Sequence, residues 1–102
     1  MKATCEKYLN EQFGGDSDVV ADIYAEYVSS SRTKISEAAA ELAAGDWGEL
    51  DRTAHTLKGN ALAAGDTDMA EIAITLRKAV ALKDSAEAES LIAKLDALSK
   101  EL

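Results

Sequence analysis

The sequence predicts an all-α protein, an up-down four-helix bundle with a short additional N-terminal helix. Three observations carry that prediction. Proline is absent, and alanine and leucine supply much of the 47% hydrophobic content, a composition that favours helices. Apolar residues recur at spacings of three and four along most of the chain, the period of an amphipathic helix. Start and stop signals cut that pattern into segments, and no alternating strand pattern occurs anywhere.

The elements follow in order. Lys2 to Gln12 suits a short helix with Tyr8 and Leu9 on its inner side. Phe13-Gly14-Gly15 ends it, because paired glycines favour a break. Asp16 and Ser17 are good N-cap residues for a long second helix. Its apolar stripe is Val19, Val20, Ile23, Tyr24, Tyr27, Val28, Ser31, Ile35, Ala38, Ala39 and Leu42. The weak helix formers Ser29-Ser30-Ser31 interrupt that stripe and are expected to stay helical at some cost in local stability. Gly45 suits a C′ stop. Asp46 with Glu49 resembles a capping box for a third helix reaching Ala64, which Gly65 stops.

Asp66, Thr67 and Asp68 open a fourth helix, with Glu71 expected in its first turn. Met69, Ile72, Ala73, Leu76, Ala79 and Val80 form its apolar face. Arg77, Lys78 and Lys83 near its end complement the helix dipole. Asp84 with Glu87 repeats the capping pattern for a fifth helix carrying Ala88, Leu91, Ile92, Leu95 and Leu98. Short connections make successive helices antiparallel neighbours. The expectation is one domain over residues 1–102, and the apolar stripes suffice for one bundle, so a monomer is expected. The initial Met1 and the full set of helices favour a free-standing protein.

The net charge of −8 argues against nucleic-acid binding and against docking on an anionic membrane. The single cysteine, Cys5, forms no internal disulfide and reads as a small apolar residue on the first helix. No apolar run spans a bilayer, and no signal-peptide core is present. A cytoplasmic location is expected.

The third helix carries the chemistry. At about 100° per residue, Trp47, Leu50, Ala54, Leu57, Ala61 and Ala64 fall in one sector of roughly 80°, the core face. His55, the only histidine, lies about 130° from its centre, on the solvent side. Gly48, Asp51, Arg52, Lys58, Gly59 and Leu62 flank it along the helix. Gly48 and Gly59 each cost roughly 1 kcal/mol against alanine in a helix interior. Either the pair makes a low docking surface, or Gly48 sits cheaply in a first turn and Gly59 permits close helix packing.

A serine-type triad has no readable partners here. A transition metal would need more ligands than one histidine and a distant cysteine, so no metal site is expected. The carboxylates sit mostly at helix starts, where capping explains them. There is no P-loop. An exposed imidazole can, however, act as a nucleophile and carry a phosphoryl group. Lys58, one turn on, can neutralise phosphoryl oxygens, and Gly59 leaves room for a donor.

The run Ala54-His55-Thr56-Leu57-Lys58-Gly59-Asn60-Ala61, with Gly65 after it and Leu42 and Ala44-Gly45-Asp46 before it, resembles the histidine-containing phosphotransfer (HPt) domain of two-component phosphorelays. The likeness covers nearly the whole chain, including the long helix with Tyr27. It implies a phosphocarrier rather than an enzyme. His55 would accept a phosphoryl group through Nε2 from a response-regulator receiver aspartate and pass it to another receiver. Lys58 would contact the phosphoryl oxygens and Gly59 would give steric access. Gly48, Arg52, Leu62, Arg77 and Lys78 would bind the partner. No cofactor of its own is implied; the receiver would supply Mg²⁺, and a sensor or hybrid histidine kinase would stand upstream. The alternative is a non-catalytic helical module that docks on a receiver or kinase without being phosphorylated. One position departs from the family. Many members place a glutamate or glutamine where it accepts from the histidine Nδ1–H, and here Arg77 occupies the matching place. A guanidinium cannot accept that bond. Arg77 would then bind the attached phosphoryl group, or Glu71 or a carbonyl would orient the ring.

Overall fold

The computed structural model describes all 102 residues and is built of five helices with no strand. These are α1 (Ala3–Gln12), α2 (Ser17–Ala43), α3 (Trp47–Ala64), α4 (Thr67–Ala81) and α5 (Ser85–Lys100). α2 packs on α3, α3 on α4, α4 on α5 and α5 back on α2, which closes the four-helix bundle. α1 lies against α2 and α3. The molecule is 43 Å long and about half as wide. That length is set by the 27 residues of α2, which rise about 40 Å. No helix is long and apolar enough to cross a membrane.

Four aspartates start four helices. Asp16, Asp46, Asp66 and Asp84 each accept from the backbone N–H three residues on, at 3.1–3.4 Å. The capping box at α3 is only half made. Glu49 turns its carboxylate to Arg52, and the Asp46 N–H donates instead to the Glu41 carbonyl. Glu71 lies beyond the first turn of α4, where the acid is Asp68. Gly45 and Gly65 follow the ends of α2 and α3 with φ of +69° and +73°. α4 ends without a glycine, and Lys83 takes a φ of +51°. Lys83 therefore stands outside the helix, and only Lys78 lies in its last turn.

One core of 22 buried apolar residues is drawn from all five helices. It includes Cys5 and Leu9 of α1, with Tyr8 half-buried against it. The expected stripe of α2 is inward at Val20, Tyr24, Tyr27, Ser31, Ile35 and Ala38, whereas Val19 and Ala39 are exposed. The serine run stays helical and ties α2 to its neighbour: Ser30 accepts from the Asn60 amide of α3 at 3.0 Å. Thr53 is buried in the core sector of α3 and donates to Glu41 of α2 at 2.6 Å.

Asp66 is fully buried at the α3–α4 corner. Lys2 donates to its Oδ1 at 2.6 Å and the Tyr27 hydroxyl to its Oδ2 at 2.7 Å. A buried carboxylate is stable only with such partners. Beside it, Gly65 faces the Cβ and ring of Tyr8 so closely that an added methyl would overlap them. Gly65 is thus required twice, for its left-handed backbone and for the approach of α1.

Gly65→Ala is expected to lower stability by about 2 kcal/mol or more in urea unfolding. Gly45→Ala, equally left-handed but open to solvent, is expected to cost only about 1 kcal/mol. Equal losses would mean that Tyr8 adds nothing.

The Asp66 cluster also predicts alkaline lability. Burial pushes the Tyr27 phenol strongly up, and its hydrogen bond to Asp66 adds to that. Burial pulls the Lys2 ammonium down, but the hydrogen bond and charge of Asp66, with help from Asp68, outweigh this and leave it above 10.5. Both groups hold their protons more tightly folded than unfolded. Their contribution is complete below the unfolded values and is lost as pH rises through the folded ones. Stability measured by denaturant should therefore fall above about pH 10. The double variant Lys2→Met, Tyr27→Phe should show a flatter decline.

Candidate functional site

α3 and α4 meet at the Gly65–Asp66 corner and run back antiparallel. Residues equidistant from such a corner face each other. His55 and Arg77 are 22 residues apart with Asp66 midway, and Arg77 Nη1 lies 3.2 Å from His55 Nδ1. The same guanidinium grips Asp51, one turn before His55. Nε donates to Oδ1 at 3.1 Å and Nη2 to Oδ2 at 3.4 Å. Two donors on one carboxylate fix the plane of the group as well as its position. Both side chains are partly exposed, so the pair contributes geometry more than stability. The hydrogen bond to Asp51 and its charge raise the Arg77 pKa further, so Arg77 stays a cation throughout.

His55 is exposed on the side of α3 away from the core. It lies in a shallow polar depression lined by Asp51, Arg52, Thr56 and Arg77. Lys58 is half-buried one turn on and makes no ion pair. A longer groove continues from it between α3 and α4. Its walls include Trp47, Gly48, Ile74, Lys78 and Lys83.

Both glycines on this face are open. A Cβ at Gly59 would meet nothing within 4 Å, and one at Gly48 would only touch the Asp46 carboxylate at 4.0 Å. The close-packing explanation for Gly59 is thereby removed, since no helix approaches it. Leu62 is 51% exposed along the same helix.

The five basic residues of this face are not equivalent. Arg52 is paired with Glu49 and Arg77 with Asp51. Lys58, Lys78 and Lys83 are the cations of this face without an ion pair. The group at Nδ1 of His55 is Arg77, not Glu71 or a carbonyl. Because a guanidinium only donates, Nδ1 must accept. Two residues escaped the sequence reading as parts of the site. Asp51 was placed beside His55 but given no role, because only the hairpin brings Arg77 to it. Ile74, 38% exposed, lies outside the apolar face of α4; an apolar residue on the polar side of an amphipathic helix was the available signal. No group of three or more His, Cys, Asp or Glu side chains is arranged to hold a metal.

No curated protein and no solved structure matches the chain significantly. Residues 22–102 match the Hpt domain family, a stretch that takes in α3, α4, α5 and nearly all of α2. With the helical bundle and the exposed His55 of α3 in view, the chain belongs to the Hpt domain family.

Proposed function

We propose that His55 is a phosphoryl acceptor, charged by the aspartyl phosphate of a response-regulator receiver domain and discharged to the aspartate of another. Hpt domains are phosphotransfer modules of two-component signalling, carriers rather than catalysts. The observation that carries the assignment to His55 is its exposure beside Lys58 and the open backbone of Gly59, with its Nδ1 side occupied by Arg77. With Nδ1 covered by Arg77, Nε2 is the ring nitrogen left open to an incoming donor, and it attacks once its proton has left.

Transfer needs in-line approach and neutralisation of charge on the phosphoryl oxygens. Lys58 supplies a point charge, and Gly59 lets the donor backbone come near. Gly48, Arg52, Leu62, Arg77 and Lys78 form the docking surface, joined by Ile74 and Trp47 in the groove. The receiver brings Mg²⁺ and the aspartate pocket. A sensor or hybrid histidine kinase stands upstream. The protein works as a cytoplasmic monomer.

Incubation with receiver domains charged by acetyl phosphate labels the protein with an acid-labile phosphate, and His55→Gln abolishes the label. Label surviving that change would remove His55 from the mechanism. Lys58→Ala is expected to slow transfer by about ten-fold or more, the worth of one charge-assisted hydrogen bond, with stability unchanged.

Gly59→Ala separates folding from function. In open helical surface it raises stability by up to about 1 kcal/mol, while the added methyl slows transfer from the receiver. A stabilised variant with undiminished transfer would show that Gly59 plays no part in access.

A further inference from the structure

The contact between Arg77 and His55 can exist in one polarity only. Arginine offers five N–H donors and no acceptor, so Nδ1 presents its lone pair to Nη1 across 3.2 Å. A neutral imidazole with a bare Nδ1 carries its proton on Nε2. The charged groups on this face are Asp51, Arg52 and Lys58 from α3, Arg77 and Lys78 from α4, and Lys83 from the turn after α4. Asp51 is the one carboxylate lining the depression, and both its oxygens are turned to the guanidinium. No acceptor is therefore aimed at a protonated Nδ1.

We infer that Arg77, clamped by Asp51, is a positioning residue that keeps Nδ1 of His55 unprotonated and so makes the phosphorylated protein a slowly discharging store. This rests on His55 being the phosphoryl acceptor.

The Nε2–H ring has no free lone pair at Nε2, so charging begins with Arg77 moving off while Nδ1 takes a proton from water and Nε2 gives its own to water. The freed Nε2 lone pair forms the N–P bond, and the donor P–O bond breaks with its electron pair passing to the leaving carboxylate. The Nδ1 proton then returns to water, and the neutral ring again offers its Nδ1 lone pair to Arg77. On discharge the N–P bond breaks with its electron pair returning to Nε2. A neutral ring would then leave as an imidazolate, a poor leaving group. A ring first protonated at Nδ1 leaves as neutral imidazole. Arg77 cannot supply that proton, because a guanidinium is not deprotonated in proteins. The proton must come from solvent, after Arg77 has moved off. An oxygen acceptor at Nδ1 would have the opposite effect and favour the protonated ring.

The test uses the full-length protein charged with potassium phosphoramidate, which phosphorylates histidine without a partner. Loss of acid-labile phosphate is followed from about pH 5 to about pH 9. Arg77→Lys keeps a donor and should decay like the parent. Arg77→Gln and Arg77→Ala should decay about ten-fold faster near neutrality. Asp51→Asn should decay faster than the parent by a smaller factor. Decay rates of all variants within about two-fold of the parent would overturn the inference.

A second readout is the ¹⁵N spectrum of the uncharged ring, unambiguous because His55 is the only histidine. The Nε2–H tautomer is expected in the parent and in Arg77→Lys; a parent dominated by Nδ1–H would contradict the inference. Absence of transfer from receivers, with the Arg77 dependence intact, would refute the proposed function alone. Transfer without that dependence would refute this inference alone.

Discussion

The buried carboxylate of Asp66 is the constraint on which the arrangement depends. It caps α4, holds Lys2 ahead of α1 and takes the hydroxyl of Tyr27 from the middle of α2. One side chain thus fixes the corner between α3 and α4 against both α1 and α2. Removing one partner from a buried pair leaves a desolvated charge, which costs about 3–5 kcal/mol. The corner is therefore stiff in the direction that matters. Because His55 and Arg77 are equally far from it, any slip of α4 along α3 would break the Arg77 contacts to both Asp51 and the imidazole.

The functional face follows from that hairpin and has a division of labour. Charges that are paired, Arg77 with Asp51 and Arg52 with Glu49, shape the surroundings of the ring. Lys58, Lys78 and Lys83 are unpaired, and under the proposed function they would meet an incoming anion. On a chain of net charge −8, this local cationic strip would give the proposed acidic partner pocket one favoured approach. Gly48 and Gly59 lower the helix surface along this strip, at a cost that packing does not require. Arg77 gives the site a different proton logic from an acceptor-oriented histidine, since the ring is held by a donor.

Much of this was legible in the sequence because it is local. Helix periods, aspartate caps and the glycines at positions 45 and 65 lie within a few residues of what they control. The exposure of His55 followed from its angle to the core sector alone. What was hidden is non-local or lacks a local marker. Asp66 reads as one cap among four, and nothing near it announces Lys2 or Tyr27, 64 and 39 residues away. Gly65 reads as a helix stop, and the tight approach of Tyr8 is invisible until α1 is docked. Lys83 ends α4 in a left-handed conformation that sequence alone assigns to glycine or asparagine. The departure at Arg77 was visible as a residue type. Its consequence needed the distance to Nδ1 and the grip of Asp51.

In the proposed relay a single nitrogen, Nε2 of His55, receives the phosphoryl group while Nδ1 is held. Correlated ³¹P and ¹⁵N spectra of the labelled protein, charged by a receiver domain, test this directly. One phosphoramidate resonance coupled to Nε2 is expected. A resonance coupled to Nδ1, or an acid-stable ester on a hydroxyl such as Thr56, would contradict it.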